Sequence, residues 1–315
     1  MTMDIQTKLL YLLLDLLLPL AIGQACRSQK RLSGSFFQRM IILNICLVYP
    51  VLAGLTIWSL RLNYELIGLP LMGVLLCIIP GIAAYLLVER KFDSELDKGS
   101  YLLSAMLSNT GTLGGLCTYI MYGEAGFAYT QMAVILQNVV MFMFCFPLAR
   151  YYYQKSIGLP FDRQSVLSLF INRNQLPVVG MAVGVALNAV GVARPVFLEA
   201  VVDPLVHLGA WTALMPIGYS IDLYAMRQYY RKILDLLPIK LVLTPLVAYA
   251  LAQVVFEETV LINTIVILAA MPTAINAVVA VQLNKLNVDL ATASFVLTTA
   301  VCLVAALPIL FVVLS

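Results

Sequence analysis

The stretch LSNTGTLGGL, Leu107 to Leu116, interrupts an apolar segment otherwise long enough to cross a bilayer. It places Asn109, Thr110, Thr112 and the glycines Gly111, Gly114 and Gly115 where a spanning helix favours Leu and Val. Unwound backbone at bilayer mid-depth is tolerated only where it is buried in protein or lines a wet cavity. The interruption therefore predicts a functional gap within a span.

Composition places the chain in the membrane. Hydrophobic residues make up 62% and charged residues 11% of 315, against roughly 45–50% and 25% in soluble domains. Mean hydropathy is +0.95. A soluble fold of this length has no core large enough for that much apolar surface, so the lipid bilayer is the first partner and no nucleic acid is expected. The six cysteines are scattered and contain no C-x-x-C pair, which argues against a disulfide framework or a metal site; no cofactor is implied. The first apolar run, Leu9 to Ala25, carries Asp15 in its middle and follows a near-neutral head. It reads as an uncleaved span rather than a signal peptide.

Apolar runs bounded by charge or turn residues predict ten transmembrane helices near 8–25, 40–60, 65–88, 99–122, 126–149, 174–192, 195–220, 233–255, 259–281 and 288–314. Each covers about 30 Å of hydrocarbon at 1.5 Å per residue. Connections after the odd-numbered helices hold fifteen Lys and Arg, against Lys8, Arg61 and Arg194 on the opposite face. The excess predicts that odd-numbered helices exit into the cytoplasm, with both termini on the outer face of the inner (plasma) membrane. The longest hydrophilic connection, 150–173, divides the chain into repeats of five helices at 1–149 and 174–315. An odd number per half inserts the second half upside down, the arithmetic of an inverted-topology repeat.

If the halves are repeats, helix 9 answers helix 4. It carries AMPTAIN, in which Pro272 lacks a backbone donor and clashes with the preceding turn. Thr273 and Asn276 bring polar groups to the same depth. Asn109 precedes the Gly123 turn by 14 residues and Pro272 precedes the Asn287 turn by 15. Paired interrupted spans at corresponding positions point to a transporter's binding site. Each half-helix restarting there offers free N–H groups and partial positive charge to an anion. The plainer reading, small residues for close helix packing and proline as a common membrane-helix residue, fits the other prolines better than this matched pair.

SNTGTLGGL with YGEAGFAY, and AAMPTAINAVVAVQLNKLNVDLATAS, resemble the auxin efflux carrier family, which belongs with the bile acid–sodium symporters in a ten-helix superfamily. LNICLVYPVL and VVDPLVHLGAWTALMPIGYSI resemble that family's second and seventh spans. The resemblance implies a scaffold of helices 1, 2, 6 and 7 and a mobile transport domain of helices 3–5 and 8–10, moving as an elevator. It implies an organic anion as substrate, held at the crossing of helices 4 and 9. Carried over by position, the substrate-binding residues are Asn109, Thr110, Gly111, Pro272, Thr273 and Asn276, with Gln137 and Asn138 on helix 5; the Thr112 hydroxyl at the same interruption adds a side-chain hydrogen bond to the candidate site. The chain departs from the family in one respect: Gly115-Leu116 stands where relatives usually place proline.

Ionisable residues within spans are candidates for function by default. Asp203 and His207, spaced i,i+4, share a helix face, and histidine suits a proton switch. The alternative places Asp203 at the outer interface and His207 in packing. Asp235 and Lys240 bracket the start of helix 8 and are expected to snorkel to the cytoplasmic interface. Trp58 and Trp211 read most simply as anchors or packing. Helices 4, 5 and 9 hold no mid-membrane acid, which weighs against a sodium-coupled symporter of the bile-acid type. Proton or sodium coupling and a homodimeric assembly stay open. The chain contains no P-loop, H-E-x-x-H or G-x-S-x-G, so a secondary carrier, tending to efflux, is expected rather than an ATP-driven pump or an enzyme. A transport-like sensor needs the same pocket and is distinguished only by the lack of flux.

Overall fold

The computed structural model describes residues 5–29, 32–60, 64–158, 176–220 and 228–314. These residues are helical, with no strand among them and one isolated antiparallel bridge, Ser108 to Thr273. We number the helices α1 Ile5–Gln29, α2 Gly34–Trp58, α3 Gly68–Lys91, α4 Glu95–Met106, α5 Gly115–Val134, α6 over 137–156, α7 Leu176–Ala189, α8 Val196–Ser220, α9 Tyr230–Val255, α10 Thr259–Ala269, α11 Ile275–Leu283 and α12 Val288–Val313. Helices α2, α3, α8, α9 and α12 are each long and apolar enough to cross a membrane; α7 and α10 are shorter apolar helices. Most of the connection expected over 150–173 lies outside the described residues, and α6 continues to Ser156.

Polarity is arranged for lipid. Leu86, Val254 and Val304 are among the most exposed side chains, at 70%, 86% and 80%. Ser100, Ser104, Thr130, Thr273, Ser294 and Thr298 are fully buried. Most of these buried hydroxyls donate to the carbonyl one turn back, as Ser104 does to Ser100 and Thr130 to Gly126, so a small polar group sits inside without an orphaned donor.

Four prolines follow π-helical segments: Pro50 after Asn44–Val48, Pro147 after Met141–Cys145, Pro245 after Ile239–Leu243 and Pro308 after Cys302–Ala306. Proline cannot donate to the carbonyl four residues back and its ring crowds it. One wide turn before the ring absorbs that conflict without ending the helix.

Helices in a bilayer associate through close packing rather than hydrophobic exclusion. α2 lies against α7 so closely that a Cβ on Gly180 would sit 2.0 Å from the Pro50 carbonyl oxygen, and one on Gly184 2.5 Å from that of Gly54. α1 lies against α8 in the same manner, with Gly218 facing the Leu20 carbonyl. α4 is covered by α3, α6 and α12, and α10 packs on α9 and α5.

Candidate functional site

Helix α4 stops at Met106 and α10 stops at Ala269. The chain then runs extended through 107–109 and again before α11, and the two pieces meet antiparallel. The Asn109 N–H donates to the Pro272 carbonyl at 2.8 Å, and the Ala274 N–H donates to the Leu107 carbonyl at 2.9 Å. Each interruption thus satisfies backbone groups of the other, the condition for non-helical backbone away from water. Thr273 fixes the contact from both sides. Its N–H donates to Thr298 Oγ1 of α12 at 3.0 Å, and its hydroxyl donates to the Ser104 carbonyl of α4 at 2.8 Å.

Gly114 and Gly115 of the opening stretch have a packing reason, whereas Gly111 has open space around it. After Asn109 the chain re-enters a helix through one π-helical turn, Thr110–Gly114, closed by the Gly114 N–H on the Asn109 carbonyl. A Cβ on Gly114 would lie 2.6 Å from the Leu268 side chain and 3.3 Å from Met271. The restarted helix therefore lies directly on the end of α10. α5 then bends at Gly123, whose φ of 65° and ψ of −150° only glycine adopts without strain.

Beside the contact lies a cavity of about 180 Å³. One wall comes from the interruptions: Ser108, Asn109, Gly111 and Thr112, then Ala274, Ile275 and Asn276. Gln131 and Val134 of α5 and Gln137 of α6 extend it, and Tyr49 of α2 with Pro177, Val178 and Met181 of α7 close the opposite side. Two helical segments begin at this cavity, at Asn109 and at Ala274, and neither N-cap residue makes a side-chain capping bond. The first turns of those segments, with their partial positive charge, thus lie beside the space without a side-chain cap. No charged side chain is among the described residues that line it.

The predicted site residues separate into three groups. Asn109, Gly111, Thr112, Gln137 and Asn276 line the cavity. The Asn109 and Asn276 amides have no protein hydrogen-bond partner among the described residues, and Asn276 is exposed to the space. Thr110 stands behind: its hydroxyl donates to Gln137 Oε1 at 2.8 Å, and Gln137 Nε2 donates to Cys77 Sγ at 3.8 Å. Pro272 and Thr273 are buried within the contact itself. The side chain of Asn138 lies outside the described residues. Sequence reasoning missed Ser108, Tyr49 and Gln131. Gln131 is 2% exposed and its Nε2 has no partner; an amide six residues before Gln137 in an apolar helix was the available signal.

Lys240 requires a correction. The sequence placed it at the cytoplasmic interface, snorkelling. It is 1% exposed. Its ammonium donates to the Ser104 and Ala105 carbonyls at 3.3 and 2.7 Å and to Ser108 Oγ at 2.8 Å. The π-helical segment Ile239–Leu243 packs on α3 and turns the Lys240 side chain inward to the last turn of α4. Asp235 is likewise engaged, paired with Lys91 and accepting the Tyr101 hydroxyl at 2.5 Å.

A second polar cluster joins α1, α5 and α8. His207 Nδ1 lies 2.5 Å from Asp15 Oδ2, and His207 Nε2 lies 3.4 Å from Asp203 Oδ1. Trp211 Nε1 donates to Asp15 Oδ1 at 3.1 Å, and the Tyr119 hydroxyl donates to Asp203 Oδ1 at 2.9 Å. The i,i+4 pair is therefore part of a longer chain whose more buried carboxylate is Asp15. Sequence spacing cannot show a partner on another helix. Among the described residues no group of three or more His, Cys, Asp or Glu is placed to hold a metal ion.

Residues 163–310 match a family described as membrane transport protein. An uncharacterized transporter of Methanocaldococcus jannaschii is 23% identical over 274 residues, covering 82% of this chain and 84% of its own. The second half of the chain is thus similar to a membrane transport family, as the resemblance read from the sequence implies, and its apolar helices are those of a multi-pass membrane protein.

Proposed function

We propose that this chain, whose second half matches the membrane transport family, is a secondary transporter of a small organic anion held in the cavity beside the paired interruptions. The observation that carries the reading is the pair Asn109 and Asn276. They come from opposite halves of the sequence, face one cavity, and have no partner for their amides among the described residues. With two helix N-termini beside them that lack side-chain caps, they offer neutral donors and partial positive charge to a carboxylate.

Helix packing supports an inverted repeat. α2 against α7 and α1 against α8 are the mates that a five-plus-five inversion relates, as are α3 against α4 and α9 against α10. The cavity walls support alternating access by an elevator: one side is built from α2 and α7, the scaffold in the resemblance, and the other from the transport helices. Movement of one set past the other carries the site between the two faces. The fifteen-to-three distribution of basic residues puts both termini outside in this reading.

The chain Asp15–His207–Asp203–Tyr119 supports proton coupling, because it links α1 and α8 to α5 across the same divide. The test is uptake of radiolabelled malonate and indole-3-acetate into proteoliposomes, with and without sodium, across pH 5.5 to 8. Saturable uptake of a carboxylate supports the transporter; specific binding without flux points to a sensor instead. A rate and pH profile unchanged in Asp203→Asn and His207→Ala removes the coupling role.

A further inference from the structure

The described residues lining the cavity at the crossing carry no charge, yet a lysine amine lies one residue behind it. Lys240 approaches from α9 and is buried to 1%. An ammonium has three donors, and three oxygens meet them: the Ser104 and Ala105 carbonyls and Ser108 Oγ. The carbonyls belong to the last turn of α4, the negative end of that helix. Ser104 O also accepts the Thr273 hydroxyl, so the lysine shares an acceptor with the other interruption. No carboxylate pairs with Lys240 among the described residues; the titratable groups that act on it are the thiols of Cys77 and Cys302. A buried charge without a counter-charge is costly unless something supplies one.

Two consequences follow from the geometry. Carbonyls at the end of a broken helix together with a hydroxyl form the kind of oxygen shell that holds a coupling cation in carriers of this architecture. Here a side chain fills it. Ser108, having accepted from the ammonium, keeps its own hydroxyl proton to donate, and Ser108 lines the cavity beside Asn109.

We propose that Lys240 is the resident cation of the crossing: its ammonium occupies the oxygen shell a coupling sodium needs, and its charge, relayed through Ser108, balances the anion in the cavity. The relay rests on the organic-anion reading given above; the occupancy of the shell does not. Lys240 is a positioning residue, since it reaches the anion only through Ser108.

The test has two arms on the purified full chain. In the first, wild type, Lys240→Ala and Lys240→Met are melted in choline, sodium and ethylammonium chloride at equal ionic strength. Wild type is expected to melt at one temperature in all three. Lys240→Ala is expected to melt lower in choline and to recover part of the loss in sodium or ethylammonium, as a small cation re-enters the shell. Lys240→Met fills the space without charge and is expected not to recover. An alanine variant that melts like wild type, or responds to neither cation, overturns the assignment; so does recovery of the methionine variant, which makes the salt effect general. Should alanine fail to fold, Lys240→Gln takes its place, with a rise in sodium supporting the proposal and no rise overturning it. In the second arm, radiolabelled malonate and indole-3-acetate are titrated. Lys240→Met and Ser108→Ala are each expected to weaken binding at least tenfold, and unchanged binding in either variant overturns the relay. If wild type binds neither anion, the organic-anion reading and the relay fall together, and the melting arm still decides the resident cation.

Discussion

Truncating Asn109 and Asn276 separately to alanine should remove anion affinity while sparing the fold. Among the described residues the Asn109 side chain makes no hydrogen bond, and its contacts to Pro272 and Gly114 are made by its backbone N–H and carbonyl. Asn276 sits in the first turn of α11 with its amide on the cavity. Neither variant orphans a buried partner, so the expected change in stability is within about 0.5 kcal/mol, the ordinary range away from packed features. A hydrogen bond to a charged group contributes about 1.5–3 kcal/mol, which corresponds to roughly a ten- to 150-fold rise in Kd per variant. The assay is equilibrium binding of radiolabelled malonate and indole-3-acetate to detergent-purified protein, with thermal melting of the same preparations. Two amides that hold one anion should also couple, so the double variant should depart from the sum of the single effects. Wild-type affinity in both single variants would refute the site. Lost affinity with an equal loss of melting temperature would refute the claim that these amides are free for ligand.

Other consequences concern the frame. Asn44 Nδ2 donates to the Gly209 carbonyl at 2.6 Å and to Thr212 Oγ1 at 2.7 Å; Asn44→Leu should destabilise the α2–α8 contact by about 1–3 kcal/mol, read from melting. Gly180→Ala drives a Cβ into the Pro50 carbonyl and should cost about 1–3 kcal/mol through overpacking, whereas Gly191→Ala, with open space around it, should show only the strain of its positive φ. At the polar ends of α3, α4 and α6, Lys98 pairs with Glu89 and Glu95, and Lys155 pairs with Glu95. Burial works to raise the Glu95 carboxyl, but bonds from Lys98 and Lys155 outweigh it and hold the group below its ordinary value of 4.5. A depressed carboxyl stabilises the fold above its ordinary value and ceases to as pH falls through the folded one. Wild type should therefore lose melting temperature on acidification below about pH 4.5 more steeply than Glu95→Gln.

Much of the molecule was legible because a bilayer makes sequence periodicity blunt but length and polarity decisive. The predicted spans 195–220, 233–255 and 288–314 fall within a few residues of α8, α9 and α12. The polar interruptions at Asn109 and Pro272 were visible because Asn, Thr, Gly and Pro are conspicuous against Leu and Val. Boundaries slipped where charge did not coincide with the helix end. α2 begins at Gly34, ahead of the predicted 40, because an amphipathic stretch continues the helix before the apolar run starts.

The sequence by itself determined that this chain spans a membrane, that two of its spans are interrupted, and which amides stand at the interruptions. Those are properties of residue type and local order. Only the tertiary structure decided what the interruptions do for each other: Asn109 to Pro272 and Leu107 to Ala274 exchange backbone bonds across the two halves of the chain. It also decided the fate of the charges. Lys240 looks like an interfacial lysine in a linear reading and proves to cap α4 from inside, and His207 finds its closer carboxylate on α1 rather than on its own helix. A buried polar group is defined by its partner, and the partner is set by which helices touch, which no local pattern encodes.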